Sequence, residues 1–413
     1  MLVAARRAPL TLSSQVGGTG VLTGFAQLDN TRLRPFNPSP DAHKPAEVTG
    51  APPSSYELTL ADPGFRFPQV WRSNLAVDRR LPWGITATLE GIYTREVNGV
   101  QFINVNLPQA QGRLAGADDR PRWTRNRIHP NITSAVVLVN HDQGDAWNVA
   151  VSLARAHRAG FVRAAYARGD SRTPAEPGGT ALSWAANPHS GDPNDTGAQF
   201  FSRGQRAFVA GSHRFEYGKR GATTVSFFFE GRNDGRASYT YAGDLNGDGG
   251  AGNDLIYVPR GPSEMAFQPF TSGGRSFTAD EQAAAWDAYI AQDPYLSRRR
   301  GRYAERNGFI LPMVWRLDVS VAQELFARPG GRRHALELRA DLLNLTNLLD
   351  SDRGVGTRLV SAQPLTNAGA DAQGRPTYRL RVIGDRLIAR SLEPSATLAD
   401  VYRIQFGLKY SFQ

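Results

Sequence analysis

The chain has 413 residues, a formal charge of +10, 42 glycines, 26 prolines and no cysteine. The missing cysteine excludes disulfides, thiolate catalysis and cysteine-ligated metals, and fits a folded chain outside the cytosol. The positive charge does not gather on a recognition element: arginines are scattered, and the densest run, residues 297–302, reads as a solvated loop, so no nucleic-acid partner is expected.

In chain order, residues 1–14 include Arg6 and Arg7 where a signal peptide needs an unbroken apolar run, which makes them a poor export signal. Residues 30–66 carry Pro35, Pro38, Pro40, Pro45, Pro52 and Pro53 and read as irregular loop. Residues 1–64 are therefore taken as loop with an edge strand, and 65–413 as the main body. Alternation with a period of two appears at Ile85, Ala87, Leu89, Gly91 and Tyr93 against Thr86, Thr88, Glu90 and Thr94. The longest apolar stretch, Ala135 to Val139, is far short of the roughly 18 residues of a membrane-spanning helix. The period of two returns at Trp147, Val149, Val151 and Leu153, and again at Val225, Phe227 and Phe229. Tyr217-Gly-Lys-Arg220 joins two such segments and reads as a hairpin turn rather than a phosphate loop.

Residues 244–254 satisfy two patterns of opposite charge preference, D-x-[DN]-x-[DN]-G and G-x-G-x-x-G. The dinucleotide reading fails because the glycines lead into Leu255-Ile-Tyr-Val258, a strand, and Asp244, Asp248 and Asp254 would repel phosphate. A structural calcium ion held by Asp244, Asn246, Asp248 and Asp254 stays open beside a glycine-rich turn held by Asx hydrogen bonds. No other cofactor is expected.

Thr278-Ala-Asp-Glu281 is a capping box, Trp286, Tyr289 and Ile290 share a face, and Pro294 stops the chain, so one short helix is expected inside a loop. Arg298, Arg299 and Arg300 could touch an anionic surface, although a solvated loop is the simpler reading. Alternation resumes at Leu317, Val319 and Val321, then at Leu336, Leu338, Ala340 and Leu342. It is strictest at Tyr402, Ile404, Phe406, Leu408, Tyr410 and Phe412. The seven histidines are dispersed and neither H-E-x-x-H nor G-x-S-x-G occurs, so no enzyme is expected.

Such strands belong to a soluble sandwich or to a transmembrane barrel, and length discriminates between them. From Tyr402 to Phe412 is about 34 Å of strand, which a tilt near 40° projects to roughly 25 Å, the height of an outer-membrane apolar band. Beyond residue 146 short connections also exchange with long ones at 169–199, 234–312 and 347–399, as between the two sides of an outer membrane. The fold class expected is therefore all-β, an antiparallel outer-membrane barrel or its C-terminal part. Glu90, Glu230, Asp318, Glu337, Arg339, Asp341 and Arg403 are expected to face the lumen, and Tyr402, Tyr410 and Phe412 to form a lipid-facing girdle.

Several stretches together carry a family resemblance: residues 65–84, 213–232, 243–260, 278–308 and 338–356. In that order they resemble the C-terminal barrel region of TonB-dependent outer-membrane receptors, in particular the Oar-like group with a carboxypeptidase-regulatory-like domain. The resemblance implies a barrel of roughly 22 strands, contact with outer-membrane lipid and assembly by the barrel-assembly machinery. It also implies uptake of a large or scarce ligand, driven by the TonB system through a plug domain. The chain departs from the family in showing no plug, in supplying about half the strands and in ending Phe412-Gln413, so a fragment of a longer receptor is expected. The alternatives are an adhesion barrel without transport and a nonfunctional remnant of a split gene.

Overall fold

The structure is a computed structural model that describes residues 55–412 apart from 177–180, 193–194, 201, 203, 219–220, 328–331 and 333, and before 55 only 38–39. The proline-rich part of the expected N-terminal loop lies largely outside the described residues.

The longer strands are β1 (Tyr56–Ala61), β2 (Val70–Leu81), β3 (Ile85–Glu96), β4 (Gly99–Asn104), β5 (Ile132–His141) and β6 (Asp145–His157). They continue with β7 (Gly160–Thr173), β8 (Gln205–Tyr217), β9 (Gly221–Asn233), β10 (Met313–Ala327), β11 (His334–Leu343) and β12 (Arg403–Phe412). The main sheet is an antiparallel meander of nine of them, in the order β2-β3-β6-β7-β8-β9-β10-β11-β12. The two-residue strand Gly197–Ala198 adds to β7 off this path.

The all-β antiparallel expectation is met. The nine strands do not close on themselves: β2 and β12 are not paired with each other, and each leaves one backbone edge unpaired within the described sheet. The strands run 10 to 15 residues, long beside the usual five or six of a globular sheet.

Connections of only a few residues join the strands at one end: 82–84 between β2 and β3, 158–159 between β6 and β7, 218–220 between β8 and β9, and 328–333 between β10 and β11. Long excursions join them at the other end, at 97–144, 174–204, 234–312 and 344–402. Residues 97–144 contain β4 and β5, which with β1 form a separate small sheet in the order β1-β5-β4. The expected N-terminal strand therefore exists as β1 but pairs with β5, in parallel, and not with the long sheet.

The two faces of the long sheet differ as the period of two requires, because direct partners on neighbouring strands point the same way. One row reads Val77, Leu89, Val151, Tyr166, Ala207, Gly231, Trp315 across seven strands. On this face Leu75, Leu338, Phe406 and Leu408 are 74%, 50%, 79% and 70% exposed. Gly231 is glycine because the Trp315 ring lies on it, where an added Cβ would come within 2.3 Å. The opposite face carries Asp78, Thr88, Ser152, Ala165, Phe208, Glu230 and Arg316 in one row.

The buried apolar core lies elsewhere. The long excursions fold together into a crown whose core contains Tyr239, Tyr241, Ile256, Val258, Trp286, Tyr289, Ile290, Leu296, Leu365, Tyr378 and Leu380. The helix α1 (Ala279–Gln292) begins where the capping box places it, with the Thr278 side chain accepting from the Glu281 N–H. It buries Trp286, Tyr289 and Ile290, the face its spacing predicts. A second helix, α2 (Leu345–Leu349), follows β11 and has no counterpart in the sequence reading.

Candidate functional site

Three groups of predicted residues can be placed. The first is the turn at 244–254. Asp244 accepts hydrogen bonds from the N–H groups of Gly247 (2.7 Å) and Gly249 (2.9 Å), and Asp248 Oδ1 accepts from Gly250 N–H at 2.7 Å. Asp254 turns away from them. Its Oδ1 accepts from Arg120 Nη1 at 3.0 Å and its Oδ2 from Leu245 N–H at 2.7 Å. Gly247 sits at φ +82 with the Trp123 carbonyl oxygen 2.1 Å from where a Cβ would be, so this turn admits glycine only.

Groups that the sequence does not bring near this turn complete it. His189 Nε2 lies 3.1 Å from Asp248 Oδ2, and Asn253 Nδ2 lies 3.1 Å from the same His189 nitrogen. Arg120 is enclosed by Asp118 and Asp254 and lies over the Tyr241 and Tyr303 rings at 5.3 and 5.1 Å. Burial opposes the Arg120 charge, yet Asp118 beside it holds the guanidinium protonated. Burial raises the Asp254 carboxyl against the pull of Arg120, and raises Asp244 as well. Burial opposes the Asp248 charge, but His189, the Gly250 N–H and Asn246 together hold its carboxyl below the ordinary range.

These residues do not fit a hard cation. The oxygens that calcium would need already accept from backbone N–H groups, face the Arg120 guanidinium, which a cation would repel, or lie against the His189 ring. Among the described residues no group of three or more acidic, His or Cys side chains is placed to hold a metal ion. The geometry is that of the hydrogen-bonded turn. It locks three excursions of the crown together through Arg120, His189 and Asp254.

The second group is the polar face. Glu90, Glu230, Asp318, Glu337, Arg339, Asp341 and Arg403 all fall on it by register. Most are paired: Arg206 Nε donates to Glu230 at 2.5 Å, Arg339 to Asp341 at 2.8 Å, and Asn344 N–H to Asp318 at 2.7 Å, while Glu337 stands opposite Lys409. The side chains of Glu90, Glu337 and Arg403 have no hydrogen-bond or ion-pair partner among the described residues. Near the crown this face opens into a cleft of about 740 Å³, lined in part by Arg72, Asn148, Gln205, Arg206, Glu230 and Arg232.

The third group is the aromatic residues on the apolar face. Tyr402 lies at the crown end, 46% exposed, while Tyr410 and Phe412 lie at the short-turn end with their rings 6.1 Å apart. The structure adds partners at both ends: Trp71, Tyr93 and Trp147 beside the crown, and Trp83, Phe215 and Tyr217 beside the short turns, all of them exposed. The alternation of β3 and β6 was a signal for two of these, whereas Trp83 sits in a turn at φ 60 and gave none.

Of the arginines at 298–300, Arg298 is exposed, while Arg299 pairs with Glu305 and Arg300 with Asp287, each at 2.8 Å. Asp170, in the Arg-Gly-Asp tripeptide, is bound by Arg236 at 2.7 Å, a strand-end contact. Neither protein-family models nor curated proteins nor solved structures provide a match to this chain.

Proposed function

We propose that the chain forms wall and external ligand-binding surface of an outer-membrane β-barrel receptor, of the TonB-dependent kind that its sequence resembles. One observation carries the reading. The apolar face of a nine-stranded meander is exposed between two belts of aromatic residues, while the opposite face is polar and ion-paired. Water penalises such a face, at about 25 cal/mol for each Å² of apolar surface left open, and lipid does not. Aromatic belts at both interfaces of an apolar band are the expected signature of a membrane barrel wall.

In this reading the short turns face the periplasm and the crown faces outward. The chain makes and breaks no bond: it binds a ligand in crown and lumen, and an energised plug releases it inward. Nine strands leave β2 and β12 running in the same direction. A barrel with antiparallel pairing throughout therefore takes an odd number of further strands at those edges.

The test is an immunoblot of carbonate-washed outer membranes, with and without boiling, probed with an antibody against residues 278–308. A band that shifts on heating supports the barrel wall. A chain washed off by carbonate, or found with the soluble fraction, overturns it.

A further inference from the structure

The polar face carries an arrangement that wall hydration does not explain. Phe208 and Phe228 break the alternation by pointing to this face, with their rings stacked 5.7 Å apart. The guanidiniums of Arg163 and Arg206 lie over Phe208, at 6.0 and 5.7 Å. Aromatic rings on a wet face gain nothing from water, but they hold planar guanidiniums flat and leave their N–H edges free to point outward.

Phe208, Arg163 and Arg206 line a second cleft of about 300 Å³, with Glu90 and Ser152, directly below the 740 Å³ cleft at the rim. The two clefts share Ala167 and Arg206, neighbours across β7 and β8, and so form one continuous recess. Its charge is unbalanced. Four arginines line it, Arg72, Arg163, Arg206 and Arg232, against Glu90 and Glu230, since Asp170 at the rim is neutralised by the buried Arg236. Glu230 is shared between Arg206 at 2.5 Å and Arg232 at 3.8 Å. The Arg163 guanidinium has no hydrogen-bond or ion-pair partner among the described residues.

From this geometry we infer a binding site for a small anionic ligand, one that bears carboxylate or phosphate groups on a compact apolar or planar body. Arg206 and Arg232 grip the anion at the rim, and Arg163 on Phe208 receives it deeper along the wall. Guanidinium forks match both anions in two-point hydrogen bonding, and recesses of this volume suit small molecules. Glu230 acts as a stand-in anion that holds the two rim arginines in place and competes with the ligand. The inference rests on the polar face being the inner face of a barrel wall.

The test uses the full chain folded in detergent micelles and pyrenetetrasulfonate, a planar polyanion, as fluorescent probe. Saturable binding is expected, weakened about tenfold or more in the R206Q/R232Q double variant and strengthened in Glu230→Gln. Arg386→Gln, an exposed crown arginine, should leave it unchanged. A merely structural role for the Glu230 cluster predicts weaker binding in Glu230→Gln, and that result overturns the site. So does undiminished binding in the double variant, or an equal loss in Arg386→Gln. Displacement by pyrophosphate assigns a phosphate ligand, displacement by citrate a carboxylate, and displacement by neither overturns the site. Each sample is run with and without boiling. Unaltered binding by a double variant that still heat-shifts rejects this site alone, whereas a wild-type chain that never heat-shifts rejects the barrel reading itself.

Discussion

Wall and crown solve opposite problems with the same residues. In the wall, Leu338, Phe406 and Leu408 stand exposed at 50%, 79% and 70% on paired strands. In the crown, Trp286, Tyr289, Ile290 and Leu365 are 1% exposed or less, in an aromatic and aliphatic core of the kind that stabilises a water-soluble domain. The polar groups divide likewise. The wall pairs charges across neighbouring strands at its surface, whereas the crown buries Arg120, Asp118 and Asp254 outright. This contrast, water excluded in one region and large apolar side chains left open in the other, is what the proposed barrel reading asks of the chain: water over the crown and lipid around the wall.

The largest expected effect breaks the crown and spares the wall. Arg120→Ala leaves two buried carboxylates without a counter-charge, which costs about 3–5 kcal/mol. Near-UV circular dichroism should lose the crown's aromatic signal at lower temperature while the strand signal in the far-UV persists. Loss of both signals together would mean that wall and crown are one cooperative unit.

The next effect falls on the wall. Val151→Arg places a charge near the middle of the apolar face and should cost about 2–4 kcal/mol in a bilayer, while Ser152→Arg, one residue on and facing the other way, should be nearly neutral. Urea titration of protein folded into vesicles measures both. Equal costs would remove the distinction between the two faces.

A third effect tests the seam. Asp400, buried in the crown, accepts from the N–H groups of Gly356 and Thr397, from the Thr397 and Ser395 hydroxyls, and from Arg316 of β10 at 2.9 Å. Its burial alone would raise the carboxyl, but these donors push it down to about 2. The folded value lies below the unfolded value near 3.9, so the stabilisation is fully present above about pH 4 and is lost as pH falls toward 2. About 2 kcal/mol is at stake. Acid unfolding of Asp400→Asn should lack the part of the pH dependence between those limits, and an identical profile would show that Asp400 does not hold the seam.

How much of this was legible in the sequence follows from the range of the interactions. The faces of β3, β6, β9, β10, β11 and β12 could be read because a period of two is a local property. Upstream of residue 146 the up-down parity through 100–127 could not be read, because β4 leaves the long sheet to pair with β5, the central strand of the small sheet. Ala135 and Val136 in it are 6% and 0% exposed, so its apolar run does not alternate and mimics any buried segment. The turn at 244–254 was visible as a motif, but its partners were not: Arg120 and Asp254 are 134 residues apart, and no spacing rule links them. The rim arginines were hidden for the same reason, since Arg72, Arg206 and Arg232 meet only through the strand order.

The helix α1 gives the smallest and most local comparison. Its N-cap was readable from four residues, and the structure shows Thr278 Oγ1 accepting from Glu281 N–H at 3.1 Å, while Glu281 also pairs with Arg275 at 2.7 Å. Thr278→Ala removes the cap and should cost about 1 kcal/mol. That is well below the roughly 3–5 kcal/mol expected for Trp286→Ala two turns later, because the helix is held chiefly by the face it buries. Thermal melting of both variants in the same micelles decides the order. A cap that costs as much as the tryptophan would mean that the crown's core tolerates a void and that the helix end, not its buried face, holds the crown together.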